Sequence, residues 1–161
     1  MNRDPASRPP ADASAAKGAG LIERLAAPPL VGELSLLALQ SVLALRVLAL
    51  CSKAAREPIA ELTRRFRSVT AAKSFLELAD CIGRCWPERL MVHRPCCSGL
   101  SPDERTLALL VDAAGAGDRE AFGRAIDGFV RHDRHEALYA ATVDFAAVLG
   151  GNDWRSGCPA L

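Results

Sequence analysis

The sequence predicts an all-α fold, a compact bundle of about six helices behind a disordered N-terminal tail. Three observations carry this. Among 161 residues, 29 are Ala and 22 are Leu, against only 17 Val, Ile and Thr together. Ala and Leu lose little rotamer freedom in a helix, whereas β-branched side chains fit strands better. Apolar residues recur at helical spacing from residue 34 to residue 149. Capping residues punctuate those stripes.

The first helix spans about 33–55 and is apolar almost all round, which places it at the centre of the bundle. Its uncharged portion, Leu34 to Leu45, ends at Arg46. A membrane span needs about 20 apolar residues, and Arg46 is costly in lipid. The segment therefore reads as a buried core helix, not a membrane anchor. Pro58 opens a short second helix carrying Ile59, Leu62 and Phe66. Ser68 or Thr70 caps the third, with Phe75, Leu78, Ala79 and Ile82 on one face and Gly83 and Pro87 at its end.

Residues 86–100 form the longest irregular stretch. The fourth helix follows with Ser101 as N-cap, Pro102 at the first position and Glu104 completing a capping box. Its face is Leu107, Leu110, Val111 and Ala114, and Gly115 and Gly117 stop it. Asp118 caps the fifth helix, faced by Phe122, Ala125, Ile126 and Phe129. Asp133 and Glu136 form a second capping box for the sixth, faced by Leu138, Ala141, Phe145, Val148 and Leu149. The domain organisation is then a tail over 1–29, one helical domain over 30–150 and a flexible end over 151–161. The tail is Pro, Ala, Ser and Gly with scattered charge, too poor in bulky apolar residues to offset its ordering entropy. No apolar run follows its first charges, so it is not read as an export signal, and a cytoplasmic location is expected. No repeat runs through the chain.

Net charge is +1, but it is unevenly placed: residues 46–94 carry a surplus of five positive charges, and residues 95–161 a deficit of four. Arg64, Arg65 and Arg67 make the densest basic patch and are the candidate nucleic-acid contacts. No helix-turn-helix, zinc-finger or RNA-binding motif accompanies them, and Phe66 between them belongs to the core face. His132-Asp133-Arg134-His135-Glu136 reads as a solvated turn whose acidic members serve as caps. No nucleophile elbow, phosphate loop, paired zinc-protease histidines or dinucleotide fingerprint occurs, so no catalytic residue is assigned.

The candidate for chemistry is the segment holding Cys81, Cys85, His93, Cys96 and Cys97. Cys81 and Cys85 stand four apart on the third helix, along one row. Thiolates and an imidazole suit zinc, an iron–sulfur centre or copper(I). A cysteine beside the start of the fourth helix also suits redox sensing. The spacing, C-x3-C followed by H-x2-C-C, matches no established zinc pattern, and cysteine is often buried as a small hydrophobe, so plain packing is the first reading of these thiols, ahead of a metal site and then a reactive thiol. No cofactor is predicted; zinc is the metal the segment would take.

Arg94-Pro95-Cys96-Cys97, followed by Leu100-Ser101-Pro102-Asp103-Glu104 and a Leu/Ala helix, resembles a family of small uncharacterised helical proteins found mostly in alphaproteobacteria. Those proteins pair a leucine-rich first helix with a later Pro-Cys-Cys segment. The resemblance covers about 34–149. This chain departs from it at Ser98-Gly99, where a further Cys or Pro is expected, and in its basic second-helix region. The resemblance implies a helical bacterial domain and transfers no catalytic residue. The function expected from the sequence is a non-enzymatic interaction or regulatory module with a protein partner. A thiol-based metal or redox protein is the alternative, and nucleic-acid contact through the basic region 56–67 is the weaker one.

Overall fold

The computed structural model describes residues 29–151. The predicted tail, apart from Pro29, and the predicted C-terminal end, apart from Gly151, lie outside the described residues, as does Cys158. Among the described residues there are six α-helices and no strands: α1 Leu36–Lys53, α2 Ile59–Phe66, α3 Val69–Cys85, α4 Pro102–Gly115, α5 Arg119–Ile126 and α6 His132–Gly151. A 3-10 turn, Val31–Glu33, precedes α1. The all-α bundle is what the composition and spacing predict.

Local chemistry sets most boundaries. The side chains of Ser35, Ser68, Ser101 and Asp118 each accept a backbone N–H three residues on, at Ala38, Ala71, Glu104 and Ala121. The structure selects Ser68 over Thr70 for α3. The Ser101–Glu104 capping box forms in full, with Pro102 in the first turn. Gly117 adopts φ +70° just past α4, a conformation that costs a glycine little. Arg67 stands in the same region at the end of α2, with φ 51°.

Four details differ from expectation. Pro58 sits one place earlier than expected, at the N-cap of α2 rather than inside it. Gly83 does not end α3, which continues to Cys85; Trp86 turns extended and Pro87 cannot continue the helix. Phe129 lies beyond the end of α5 and stacks edge-on against Trp86, with centroids 5.2 Å apart. The sixth helix starts at His132, so Asp133 lies within its first turn and Glu136 pairs with Arg119 instead of closing a box.

The main core joins all six helices. α3 and α6 pack most extensively, α4 packs on α1, α5 and α6, and the rings of Phe66, Phe75 and Phe145 meet at its centre with centroids 5.4–5.8 Å apart. A second cluster, Ala38, Val42, Leu100 and Ala108, fastens the residues before α1 to the segment before α4. The expectation that α1 occupies the centre is corrected. α1 lies chiefly on α4, with α2 beside it, and meets α3 and α6 only slightly. It buries Ala38, Val42, Ala44 and Leu45, while Leu36 and Leu50 face outward. An all-round apolar surface does not tell which side faces the core. α4, buried at Leu107, Leu110, Val111 and Ala114, takes the central place instead. By length and composition, with mean hydropathy 1.6, α1 is long and apolar enough to cross a membrane.

Candidate functional site

The irregular stretch between α3 and α4 is held in place by side chains from both neighbours. Asp103 accepts from the Trp86 indole N–H at 3.0 Å and from the Met91 backbone N–H at 2.6 Å. The Ser101 hydroxyl donates to the Met91 carbonyl while its oxygen caps α4. The residues that start α4 therefore also stitch down the chain that leads into it.

Deeper in, Arg46 of α1 is 1% exposed and Glu104 of α4 is 0% exposed. Arg46 Nε donates to Glu104 Oε1 at 2.8 Å and Nη2 to Oε2 at 2.9 Å. The guanidinium also donates to the carbonyls of Cys97 at 2.6 Å and Gly99 at 2.8 Å. Glu104 accepts further from the backbone N–H groups of His93 at 3.1 Å and Ser101 at 2.9 Å. Both charges are thus paired and hydrogen-bonded, the condition under which burial is tolerated. Burial pushes the Glu104 carboxyl upward. The hydrogen bonds from Arg46 and Ser101, the guanidinium charge and the His93 N–H outweigh it, holding the carboxyl below the usual range. The hydrogen bond to Glu104 holds the Arg46 guanidinium above its ordinary value.

The predicted cysteine–histidine constellation is divided. Cys81 and Cys85 stay together on α3, where burial first, then the neighbouring Cys85, pushes the Cys81 thiol up to about 11. His93 and Cys97 form a second pair in the connection, Nδ1 to Sγ 3.6 Å. Cys96 is exposed. Among the described residues the five cysteines are free thiols, and no three His, Cys, Asp or Glu side chains converge as metal ligands. A tetrahedral zinc site draws four ligands around one point; each pair here supplies two.

The tautomer of His93 follows from its neighbours. Nδ1 lies 3.1 Å from the Gly99 carbonyl and 3.9 Å from Glu104 Oε2, both acceptors. Nδ1 therefore carries the hydrogen, an assignment made from the network. It donates toward Gly99 and faces Cys97 with a proton, so at this atom His93 is no base for the Cys97 thiol.

The candidate nucleic-acid residues take separate tasks. Arg64 pairs with Glu61, and Arg67 ends α2. Arg65 is half-buried, which lowers its pKa, and its Nε has no partner among the described residues. The expected solvated turn at 132–136 is instead the first turn of α6. There His132 and His135 stack 5.0 Å apart, and His135 Nε2 donates to the Val130 carbonyl at 2.9 Å. With Arg119, Glu136, Phe122 and Tyr139 they line a cleft of about 220 Å³.

The chain matches no protein-family model, no curated protein and no solved structure.

Two features escaped the sequence reading. One is the Arg46–Glu104 clamp; its signal was a single charge inside an otherwise apolar helix, which demands a buried partner. The other is the outward stripe of α1. Leu36 is 55% and Leu50 47% exposed, and Leu39 and Leu43 are half-buried and pack against neither core cluster of the described residues.

Proposed function

We propose that this chain is a non-enzymatic interaction module of the cytoplasm whose contact face is the outer stripe of α1. The observation that carries this reading is the position of Leu36, Leu39, Leu43 and Leu50 on one side of the most apolar helix, exposed or half-buried and packed on neither core cluster of the described residues, while the neighbouring Arg46 ties the helix to α4. Burying a leucine fully is worth about 1.5–3 kcal/mol, and contiguous exposed apolar patches mark interaction surfaces. The other exposed apolar residues, such as Val69, Met91 and Leu109, are scattered over different elements and need no such account. The polar clusters around Arg46, Ser101 and Asp103 support the same reading, because their hydrogen bonds are spent on caps, on the clamp and on one another.

A photo-crosslinking residue at position 43 tests this. Protein adducts at 43, and none from the exposed position Lys73, are expected. Equal adducts at both, or none at 43, would contradict the reading.

A thiol-based function is the second reading, favoured by the accessible Cys96 beside the Cys97–His93 pair. Protein purified without added metal or chelator decides it. About one equivalent of zinc or iron, lost in C96S/C97S, supports a metal site; six freely titrating thiols without metal removes it.

A further inference from the structure

Resting on the reading of α1 as a contact face, we propose that its occupant is a second copy of this chain, paired antiparallel about a twofold axis through Leu43. The stripe reads Leu36, Leu39, Leu43, Val47, Leu50, with Val47 at its edge half-buried against the main core. Relative to Leu43 these positions lie at −7, −4, 0, +4 and +7, so the pattern is the same read from either end. Leu36, Leu43 and Leu50 are spaced by heptads, the repeat that keeps a seam facing a partner helix. At about 100° per residue all five fall within roughly 80° of the helix surface. A twofold axis places Leu43 against its own copy, Leu36 beside Leu50 of the copy, and Leu39 beside Val47 of the copy. Such self-complementarity is what an isologous interface requires.

Charge follows the same symmetry. Exposed Glu33 lies ten residues before Leu43, and exposed Lys53 ten residues after it. Exposed Arg56 and Glu57 follow at the latter end and offset each other, so Lys53 carries its positive charge. Antiparallel pairing brings each acidic end beside the basic end of the copy and aligns the helix dipoles head to tail. A parallel pair would set like ends together.

Shape supplies a third argument. At the C-terminal end of the stripe, Val47, Leu50, Cys51 and Ala54, with Arg56 and Glu61, line an open cleft of about 320 Å³. Leu36, the most exposed leucine of the stripe, is the residue that the twofold axis delivers to that end. The N-terminal knob of one chain therefore meets the C-terminal hollow of the other, twice per dimer.

Sedimentation of the full chain in reducing buffer tests the proposal. The mass is expected to rise from one chain to two with concentration. L43E should remain monomeric while keeping its helical circular dichroism and cooperative melting. E33K should weaken the dimer roughly two- to fivefold, and E33K/K53E should restore it, an outcome a mere folding defect does not give. A chain monomeric at every concentration, or a dimer indifferent to L43E, would overturn the proposal. So would monomeric protein bound to lipid vesicles through an L43E-sensitive face. Adducts at position 43 with a different protein only would overturn this pairing and leave the contact-face reading standing.

Discussion

Arg46 meets Glu104 side-on in the interior, Nε to Oε1 at 2.8 Å and Nη2 to Oε2 at 2.9 Å, across 58 residues of sequence. The pair does more than neutralise itself. Through Arg46 it holds the carbonyls of Cys97 and Gly99, and through Glu104 the N–H groups of His93 and Ser101. One ion pair thereby fixes α1, α4 and the connection between α3 and α4 to a common point.

Removing one member should leave the other charged and buried. R46M is expected to cost about 3–5 kcal/mol in a urea unfolding experiment. E104Q should cost a comparable amount, since its single oxygen accepts from only one of the two backbone N–H groups, which bond to different carboxylate oxygens, and Arg46 stays charged. The two changes together should cost less than their sum, with a coupling of about 1–3 kcal/mol. Strict additivity would show that the pair is not coupled.

The clamp should also make the fold acid-sensitive. Glu104 is held below its unfolded value of about 4.3. A carboxyl with a depressed folded pKa contributes stability that is present above the unfolded value and is lost as pH falls through the folded one. Urea midpoints of the wild type and E104Q are expected to differ most near neutrality and to converge below about pH 4. A gap that stays constant down to pH 2 would contradict this.

The cysteines should react in order of access and protonation. With its thiol pushed up to about 11, Cys81 is thiolate in roughly one molecule in a thousand at pH 8. Iodoacetamide followed by peptide mass mapping should label Cys96 first and Cys81 only on unfolding. Early labelling of Cys81 would contradict its burial.

Arg67 sits at φ 51°, where a side chain is strained and glycine is not. R67G should therefore stabilise the chain by about 0.5–1 kcal/mol, seen as a raised urea midpoint. A loss of stability would mean that the Arg67 side chain contributes more than its backbone costs.

What the sequence discloses and what it withholds divide along physical lines. Ser101-Pro102-Asp103-Glu104 announces α4 because a cap is built from residues three apart, and the structure forms it in full. Phe122 and Ile126 are core because one helical face is apolar and the other is not. Around 132–136 the capping residues are ambiguous. Asp133 and Glu136 fit a box, yet Arg119, distant in sequence, captures Glu136 and the helix starts earlier. α1 is the opposite difficulty: with leucine on every side, periodicity names no inner face, and only the neighbours choose it. Arg46 shows the same limit at the candidate site. Its chemistry demands a partner, but Glu104 was already accounted for as a cap, and nothing local joins the two. The five cysteine and histidine residues are close in sequence, but closeness in sequence does not bring side chains to one point. The end of α3 and the clamped connection divide them into two pairs.

The most direct measurement is hydroxyl-radical footprinting of the full chain across a concentration series. Oxidation of Leu36 and Leu50, and of the half-buried Leu39 and Leu43 between them, is expected to fall together as concentration rises, while Met91, Val69 and Leu109, exposed elsewhere, keep a constant rate. A stripe whose oxidation rate, like that of these controls, does not change with concentration would contradict α1 as the face through which two chains meet.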